Sequence, residues 1–477
     1  MAISPTILTE IISQFERDLT KEKFSTRITD RLSCARGTCP YEFKWLQQGQ
    51  YPYIPDIVVW PDNTEDVVTV VKTAMRYKVA VIPYGGGSGI VGGTVPEHGG
   101  IIIDMKRMTN LSINDINLTV TVGAGYNGQH LEDELNRQGY TMGHLPQSIH
   151  SATVGGWIAP IAIGTFSTKY GKIDDMLVAL EVVLPTGEVV STSPAPKEST
   201  GPSLKYLFLG SEGAFGVITQ ATFRIWPRPE ARIWEGYTFP TTGAGLTAVR
   251  KVLRTGLYPA LVRLYDPDEA AARVDALGYE KGYALLFMAF EGRRDLAELE
   301  RRVADEICRA EGGLPKGPEP GLHWFESRLS TQHLVETNCL PGGAADAIEV
   351  SAPWDKLEGV WMAMRDALKP LAQEVHSHFS HFYHTGGSVY VLFYALTDGD
   401  AQKGEQHYLR CVKAAIEASL AAGGTISHHH GIGRLKAPWM RDEHGVGFDL
   451  LRKIKTVIDP EDIMNPGVLG LGGNARC

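Results

Sequence analysis

Three consecutive histidines, His428, His429 and His430, stand between Ser427 and the turn Gly431-Ile432-Gly433. Imidazole changes charge near neutral pH, ligates metals and orients anions, so three in a row concentrate chemistry rather than packing. In an extended segment alternate side chains face opposite ways, which predicts that His428 and His430 share one face while His429 takes the other. The competing account, a solvated loop, leaves the flanking glycines unexplained, because glycine serves where a backbone presses close to another group. Upstream, Gly423-Gly424-Thr425-Ile426 reads as a short strand leading into the motif. Further histidines lie at 376, 378, 381 and 384. Neutral imidazole suits zinc, iron or manganese, so His384 with His376, His378, His381, His428, His429 or His430 forms a candidate divalent-metal set. Adjacent histidines are poorly placed to share one ion, which weighs against that set.

A second concentration is the loop with Gly85, Gly86, Gly87, Gly89, Gly92 and Gly93, six glycines within nine positions. Gly87-Ser88-Gly89-Ile90-Val91-Gly92 spells the dinucleotide fingerprint. That fingerprint requires the loop to open a helix, and Gly92, Gly93, Pro96, Gly99 and Gly100 forbid one. Successive backbone N–H groups still make an anion nest suited to a diphosphate. Two similar clusters follow, Ser148–Trp157 and Gly210–Thr219. Three such loops, each beside strands, point to one extended cofactor.

The elements that position these groups follow from hydrophobic period. Residues 63–77 read as an amphipathic helix, with Glu65 and Asp66 in its first turn and Val67, Val70, Val71, Ala74 and Met75 at helical spacing. Strands at 79–83, 101–104 and 118–123 and a helix around 130–135 continue an α/β alternation. From Met176 to Trp226 the texture turns β-rich, with Pro185-Thr186-Gly187 as a hairpin turn between 178–184 and 188–190. Pro227-Arg228-Pro229 marks a boundary. Beyond it, strands at 284–290 and 388–394 alternate with helices at 295–310 and 406–421. The fold class expected is α+β: a first domain of two α/β subdomains over 1–228, a cap over 229–425 and a C-terminal segment, 426–477, returning to the first domain.

With 477 residues, 43% of them hydrophobic and 21% charged, the chain has ample material for large cores. A net charge of −9 and the lack of a basic run argue against nucleic acid as a partner. No apolar run reaches membrane-spanning length; Trp157–Ile163 comes nearest and contains Pro160. The start of the chain lacks a secretory apolar core, and six scattered cysteines fit a reducing compartment, so a cytoplasmic protein is expected. Cys34 and Cys39 read as structural.

Pro83-Tyr84-Gly85-Gly86-Gly87-Ser88, Ser151-Ala152-Thr153-Val154-Gly155-Gly156, and Gly210-Ser211-Glu212-Gly213 with Gly216-Val217-Ile218-Thr219 resemble the FAD-binding segments of the vanillyl-alcohol oxidase/p-cresol methylhydroxylase flavoprotein superfamily. With Pro55–Pro61 they cover the first half in the expected order. The resemblance implies FAD held through Pro83, Gly85, Gly86, Gly87, Ser88, Gly89, Ser148, Ser151, Thr153, Gly155, Gly156, Glu212, Gly213, Gly216, Val217 and Ile218. Ser88 stands where covalent members carry histidine, which implies non-covalent FAD.

Within that superfamily the second half is most similar to alkyldihydroxyacetonephosphate synthases, through Ser427–Gly433, Ser351–Asp355, Val262-Arg263-Leu264 and the run 382–390. That likeness implies Tyr390 and His429 as acid/base residues and Arg263 in the active-site lining. His384 departs from the synthase pattern, which has an acidic residue there. The ending Met464-Asn465-Pro466-Gly467 is closer to the D-lactate dehydrogenase and glycolate oxidase branch, whose metal site uses a glutamate near position 429.

Three functions follow as expectations. The first is FAD-dependent oxidation of a small alcohol or 2-hydroxy acid, by hydride transfer to the flavin. The second is the synthase exchange of an acyl for an alkoxy group through a flavin adduct. The third is a FAD-binding subunit of a larger redox complex. A small anionic substrate, and a homodimer or redox partner, are the partners expected.

Overall fold

The computed structural model describes residues 3–473, so Cys477 lies outside the described residues. Its first sheet is built from Ile57–Val59, Ile101–Asp104 and Val81–Tyr84, paired in parallel, with Phe24–Ser25 antiparallel at one edge. Ile57, Val58, Val59, Ile101, Ile102 and Ile103 are all fully buried. That unbroken apolar run is the mark of a parallel sheet covered on both faces. The helix Thr64–Tyr77 covers it, starting where Asn63 accepts the Asp66 N–H and ending at Lys78 in the left-handed conformation. Val67, Val70, Val71 and Ala74 form its buried stripe, as their spacing predicts.

The second sheet has five antiparallel strands in the order Leu111–Asn114, Thr119–Gly123, Val217–Arg224, Leu177–Val183 and Val189–Ser191. Burial alternates along Val217–Arg224, with Val217, Thr219, Ala221 and Phe223 inward.

The third sheet is larger and wholly antiparallel: Leu314–Gly317, Ala231–Phe239, Ala284–Gly292, Leu261–Tyr265, Glu374–Phe379, Gly386–Leu396 and Gly343–Pro353, with Phe382–Tyr383 hairpinned onto Gly386–Leu396. Helices Thr242–Arg254, Arg294–Ala310, Leu357–Leu368 and Ala401–Ala422 pack against it. The whole is an α+β protein. No helix among the described residues is long and apolar enough to cross a membrane.

Two local expectations are corrected. The segment 423–426 is not a strand: helix Ala401–Ala422 ends at Gly423 in the left-handed conformation. Thr425 then meets the edge of the large sheet through its N–H on the Ser351 carbonyl and its hydroxyl on the Ser351 N–H. One side-chain oxygen replaces the second rung, so no ladder propagates. The histidine motif itself is bent rather than extended, for a reason given below.

The C-terminal segment returns to the first sheet, where Met464 bridges Val81 in parallel. Its anchor is Lys455, a buried lysine whose ammonium donates to the carbonyls of Ala214 (3.1 Å) and Met464 (2.7 Å) and to Asp459 Oδ2 (2.6 Å). Replacing Lys455 by Met leaves the buried Asp459 carboxylate without its cation. Breaking such a pair costs about 3–5 kcal/mol, so Lys455→Met is expected to lower the urea midpoint strongly. An unchanged midpoint would show that the tail is anchored elsewhere.

Candidate active site

The three glycine clusters converge. A Cβ on Gly85 would overlap the Thr153 hydroxyl, and one on Gly86 would overlap the Ser151 carbonyl oxygen. Gly213 packs on Pro83, and Gly93 faces Glu212 Oε2. These glycines are therefore fixed first by loop-on-loop packing, a stricter demand than ligand approach alone. Gly89 differs, since a Cβ there has nothing within 4 Å. Gly155 backs onto Ala124, Gly156 meets only the Thr153 hydroxyl at 3.3 Å, and Gly216, at φ 157, lets its chain touch Val182 and Val183. The Ser148 carbonyl accepts the N–H groups of Ser151 and Ala152, closing the second loop. The buried Thr153 Oγ1 and Trp157 Nε1 have no protein partner. Glycine backbone on one side and unsatisfied buried donors on the other suit a polyanionic cofactor lying across both loops. Ser88 is half-buried beside them, while Val217 and Ile218 belong to the five-stranded sheet, pairing Val183 and Val182.

Glu212, expected at the cofactor, reaches the histidine motif. Its carboxylate accepts the N–H of Ile432 at 2.7 Å and of Gly433 at 2.8 Å, and so holds the far end of the histidine motif. Burial pushes its carboxyl up to about 7 against the pull of those two N–H groups.

The near end of the motif hangs on Glu349, a residue that sequence reasoning missed. Glu349 Oε1 accepts the backbone N–H of His428 (3.2 Å), His429 (3.0 Å) and His430 (2.7 Å) and the Ser427 hydroxyl (2.7 Å). Its other oxygen takes the buried Lys436 ammonium at 2.5 Å. Convergence of three successive N–H groups on one oxygen curls the backbone into a nest, so the alternation expected of an extended chain does not arise. Desolvation would raise the Glu349 pKa, but the Lys436 charge foremost, then His430 and the hydrogen bonds, carry it well below the usual carboxylate range.

The curled loop delivers its rings to two tyrosines. His429 Nε2 lies 2.5 Å and His430 Nε2 3.1 Å from Tyr390 Oη, and His428 Nε2 lies 2.7 Å from Tyr383 Oη. The Nδ1 atoms of His428 and His429 are 2.9 Å apart. Burial drives all three imidazoles toward the neutral form; His428 falls to about 3. Burial likewise raises the Tyr390 phenol. A neutral His429 supplies no positive charge to Tyr390.

Against that burial, Arg263 is the cation that pulls the Tyr390 pKa down. Its Nη2 donates to His378 Nε2 at 2.8 Å and its Nε to Tyr265 Oη at 3.0 Å, and the His378 ring stacks on Tyr390 at 4.7 Å and 18°. Sheet register explains the assembly: Tyr265, His378, Tyr390 and Glu349 are cross-strand partners in one row over four strands. Residues directly opposite in such a row project from the same face.

His384 does not join this cluster. It is exposed, with its ring 5.3 Å from Tyr258. His376 pairs with Glu374, and His381 Nδ1 lies 2.8 Å from the Ser167 hydroxyl. Among the described residues no group of three or more His, Cys, Asp or Glu is placed to hold a metal ion.

Two outcomes are expected from this geometry. Gly86→Val should give protein without bound flavin, because its side chain must displace the Ser151 backbone; absorbance of the purified variant checks this, and a fully flavinated variant refutes it. Glu212 titrates above its reference value of 4.5. Between pH 4.5 and about 7 the unfolded chain is ionised while the folded one keeps its proton, so this group's stabilisation declines across that window and levels off above it. Glu212→Gln should remove one proton's worth of that slope from the stability–pH curve, measured by urea unfolding at successive pH values.

Residues 55–193 match the FAD binding domain, and residues 228–469 match the C-terminal domain of FAD linked oxidases. Alkyldihydroxyacetonephosphate synthase of Trypanosoma brucei brucei is 31% identical over 98% of this chain and 81% of its own length. D-lactate dehydrogenase of Archaeoglobus fulgidus is 30% identical over 86% of this chain and 90% of its own. A solved alkyldihydroxyacetonephosphate synthase superposes with a TM-score of 0.81 at 25% identity, covering 96% of this chain and 84% of that one. A p-cresol methylhydroxylase shares the fold, with a TM-score of 0.79 at 16% identity over 99% and 98% of the two chains. The chain belongs to the FAD-linked oxidase family, with FAD as its cofactor.

Proposed function

We propose that this flavoenzyme oxidises a small anionic alcohol or 2-hydroxy acid, with non-covalently held FAD taking the hydride. The observation that carries the reading is the Tyr390–His429 contact at 2.5 Å, two strands away from an arginine that its protein partners occupy through only two nitrogens. FAD supplies the two-electron acceptor. Arg263 offers Nη1 as a grip for a carboxylate or phosphate, with Nε and Nη2 fixed by Tyr265 and His378. Tyr390 then receives the hydroxyl proton of the substrate and relays charge into the imidazoles beside it. Lys172 donates to the His428 carbonyl, pinning the loop from a third side.

The synthase-type exchange of an acyl for an alkoxy group is the second reading, supported by the relative matched over 98% of this chain. It needs the same proton handling but leaves the flavin oxidised after turnover. Anaerobic addition of candidate substrates separates the two. Lasting loss of oxidised-flavin absorbance supports oxidation, whereas product formation with restored absorbance supports exchange. Release of intact FAD on heat denaturation tests the non-covalent attachment.

Tyr390→Phe is expected to lower kcat by roughly 10²–10⁴-fold, the usual span for a lost acid/base group, while retaining FAD. Arg263→Lys should mainly raise KM, because an ammonium cannot reproduce the planar fork. Undiminished single-turnover flavin reduction in Tyr390→Phe would exclude the phenol as the proton acceptor.

A further inference from the structure

The hydrogen-bond partners of Tyr390 restrict where its proton sits. Four contacts link Tyr383, His428, His429, Tyr390 and His430 into one chain. A neutral imidazole has one N–H and one lone pair. With three neutral rings, only two proton arrangements fill all four contacts and give the Tyr390 proton an acceptor within the chain. In the first, Tyr383 donates to His428, His428 to His429, His429 to Tyr390, and Tyr390 to His430. In the second every bond runs the other way, and the Tyr383 proton has no acceptor within the chain.

The two differ at the end of the chain. His430 Nδ1 lies 3.6 Å from Glu349 Oε2. The first arrangement turns an N–H toward that oxygen. The second turns a lone pair toward it. Glu349 is already committed as an acceptor, to Lys436 Nζ through Oε2 and to three backbone N–H groups and Ser427 through Oε1. An ionised carboxylate can only accept, so the second arrangement sets acceptor against acceptor.

We propose that Glu349, paired with Lys436, is the positioning residue that sets the direction of this chain, so that Tyr390 accepts from His429 and donates its own proton to His430. The inference rests on the reading of Tyr390 as the proton-transfer group. As the substrate carbon gives its hydride to FAD and becomes a carbonyl, the substrate hydroxyl proton moves to Tyr390 Oη and the former phenol proton moves to His430 Nε2. The resulting imidazolium faces Glu349. The carboxylate–imidazole–hydroxyl order is that of a hydrolase triad, with a phenol in the place of the serine. His429, the residue singled out by family likeness, becomes the donor that steadies the Tyr390 oxygen rather than the acceptor of its proton.

The test reads tautomers directly. In flavin-loaded protein carrying ¹⁵N-labelled histidine, with the His430 signals assigned through His430→Gln, nitrogen shifts distinguish the protonated ring nitrogen from the bare one. The native protein is expected to show His430 protonated at Nδ1. The double variant Glu349→Gln/Lys436→Met removes both charges together, sparing the lysine a buried site without its counter-ion. The three backbone N–H groups keep the amide oxygen in the Oε1 position, which leaves the amide N–H₂ facing His430 Nδ1. The proton should then sit on Nε2, and substrate-driven flavin reduction should slow roughly 10²–10⁴-fold with FAD retained.

A native His430 protonated at Nε2, or a tautomer unmoved in the double variant, overturns the proposal. If the variant does not fold, the native tautomer decides alone. If no substrate reduces the flavin, the functional reading fails while the tautomer result still stands or falls by itself.

Discussion

An irregular backbone can be buried only if each N–H finds an acceptor, since every unpaired group forfeits on the order of 1–3 kcal/mol. The histidine loop meets most of that demand with two carboxylates and one carbonyl instead of secondary structure. Glu349 takes the N–H groups of residues 428, 429 and 430, Glu212 takes those of 432 and 433, and the Val91 carbonyl takes those of 434 and 435. Glu349 sits on the large antiparallel sheet, whereas Glu212 and Val91 belong to the glycine-rich loops. The motif is therefore a clasp between the sheet that carries Tyr390 and the loops that suit the flavin. Asn465 closes the same seam, donating to the carbonyls of Gly93 and Glu212.

Burial gives this clasp its electrostatic character. The imidazoles at 378, 381, 428, 429 and 430 are held toward neutrality chiefly by desolvation, and charge is confined to a few fixed points: Lys436 on Glu349, Lys172 on the His428 carbonyl, Arg263 on His378. Neutral rings joined by hydrogen bonds can shift a proton without moving a heavy atom, and a low local dielectric strengthens each link. A metal would need an anionic or freely accessible donor set. These donors are spent on one another, and His384, the remaining imidazole of the 382–390 run, is turned to solvent against Tyr258.

Much of this was legible in the chain. An apolar run announced the strand at 101–104, and Glu65 and Asp66 ahead of an apolar stripe announced the helix over 63–77. The glycine clusters and the three histidines were visible as concentrations of residue type, and the likeness of 382–390 singled out Tyr390. Glu349 was not legible, because it interrupts a strand whose neighbours Ile348 and Val350 are both buried. Alternation is the signal that separates an inward acid from an outward one, and here it is absent. Glu212 was singled out by its place among glycines, but composition could not show that its carboxylate also serves a segment over two hundred residues away. The strand expected at 423–426 failed because a β-like composition cannot reveal that Thr425 Oγ1 will replace a rung of the ladder.

Strand register then fixes the geometry of the chemistry. Tyr265, His378, Tyr390 and Glu349 occupy one row, and neighbouring strands lie about 4.8 Å apart, so the row spans roughly 14 Å. Arg263, two residues before Tyr265 on its strand, projects from the same face. The anion grip therefore sits at one end, the carboxylate that orients the histidines at the other, and the phenol between them. Side chains on a loop could drift relative to one another; residues in a hydrogen-bonded row cannot, unless the sheet itself breaks. The flexible motif is consequently the part that is tied down, by carboxylates, while the rigid sheet supplies the ruler. On the proposed reading, a substrate anchored at Arg263 would have its reacting hydroxyl set by that ruler, and its length from anion to hydroxyl would be the property on which the site selects.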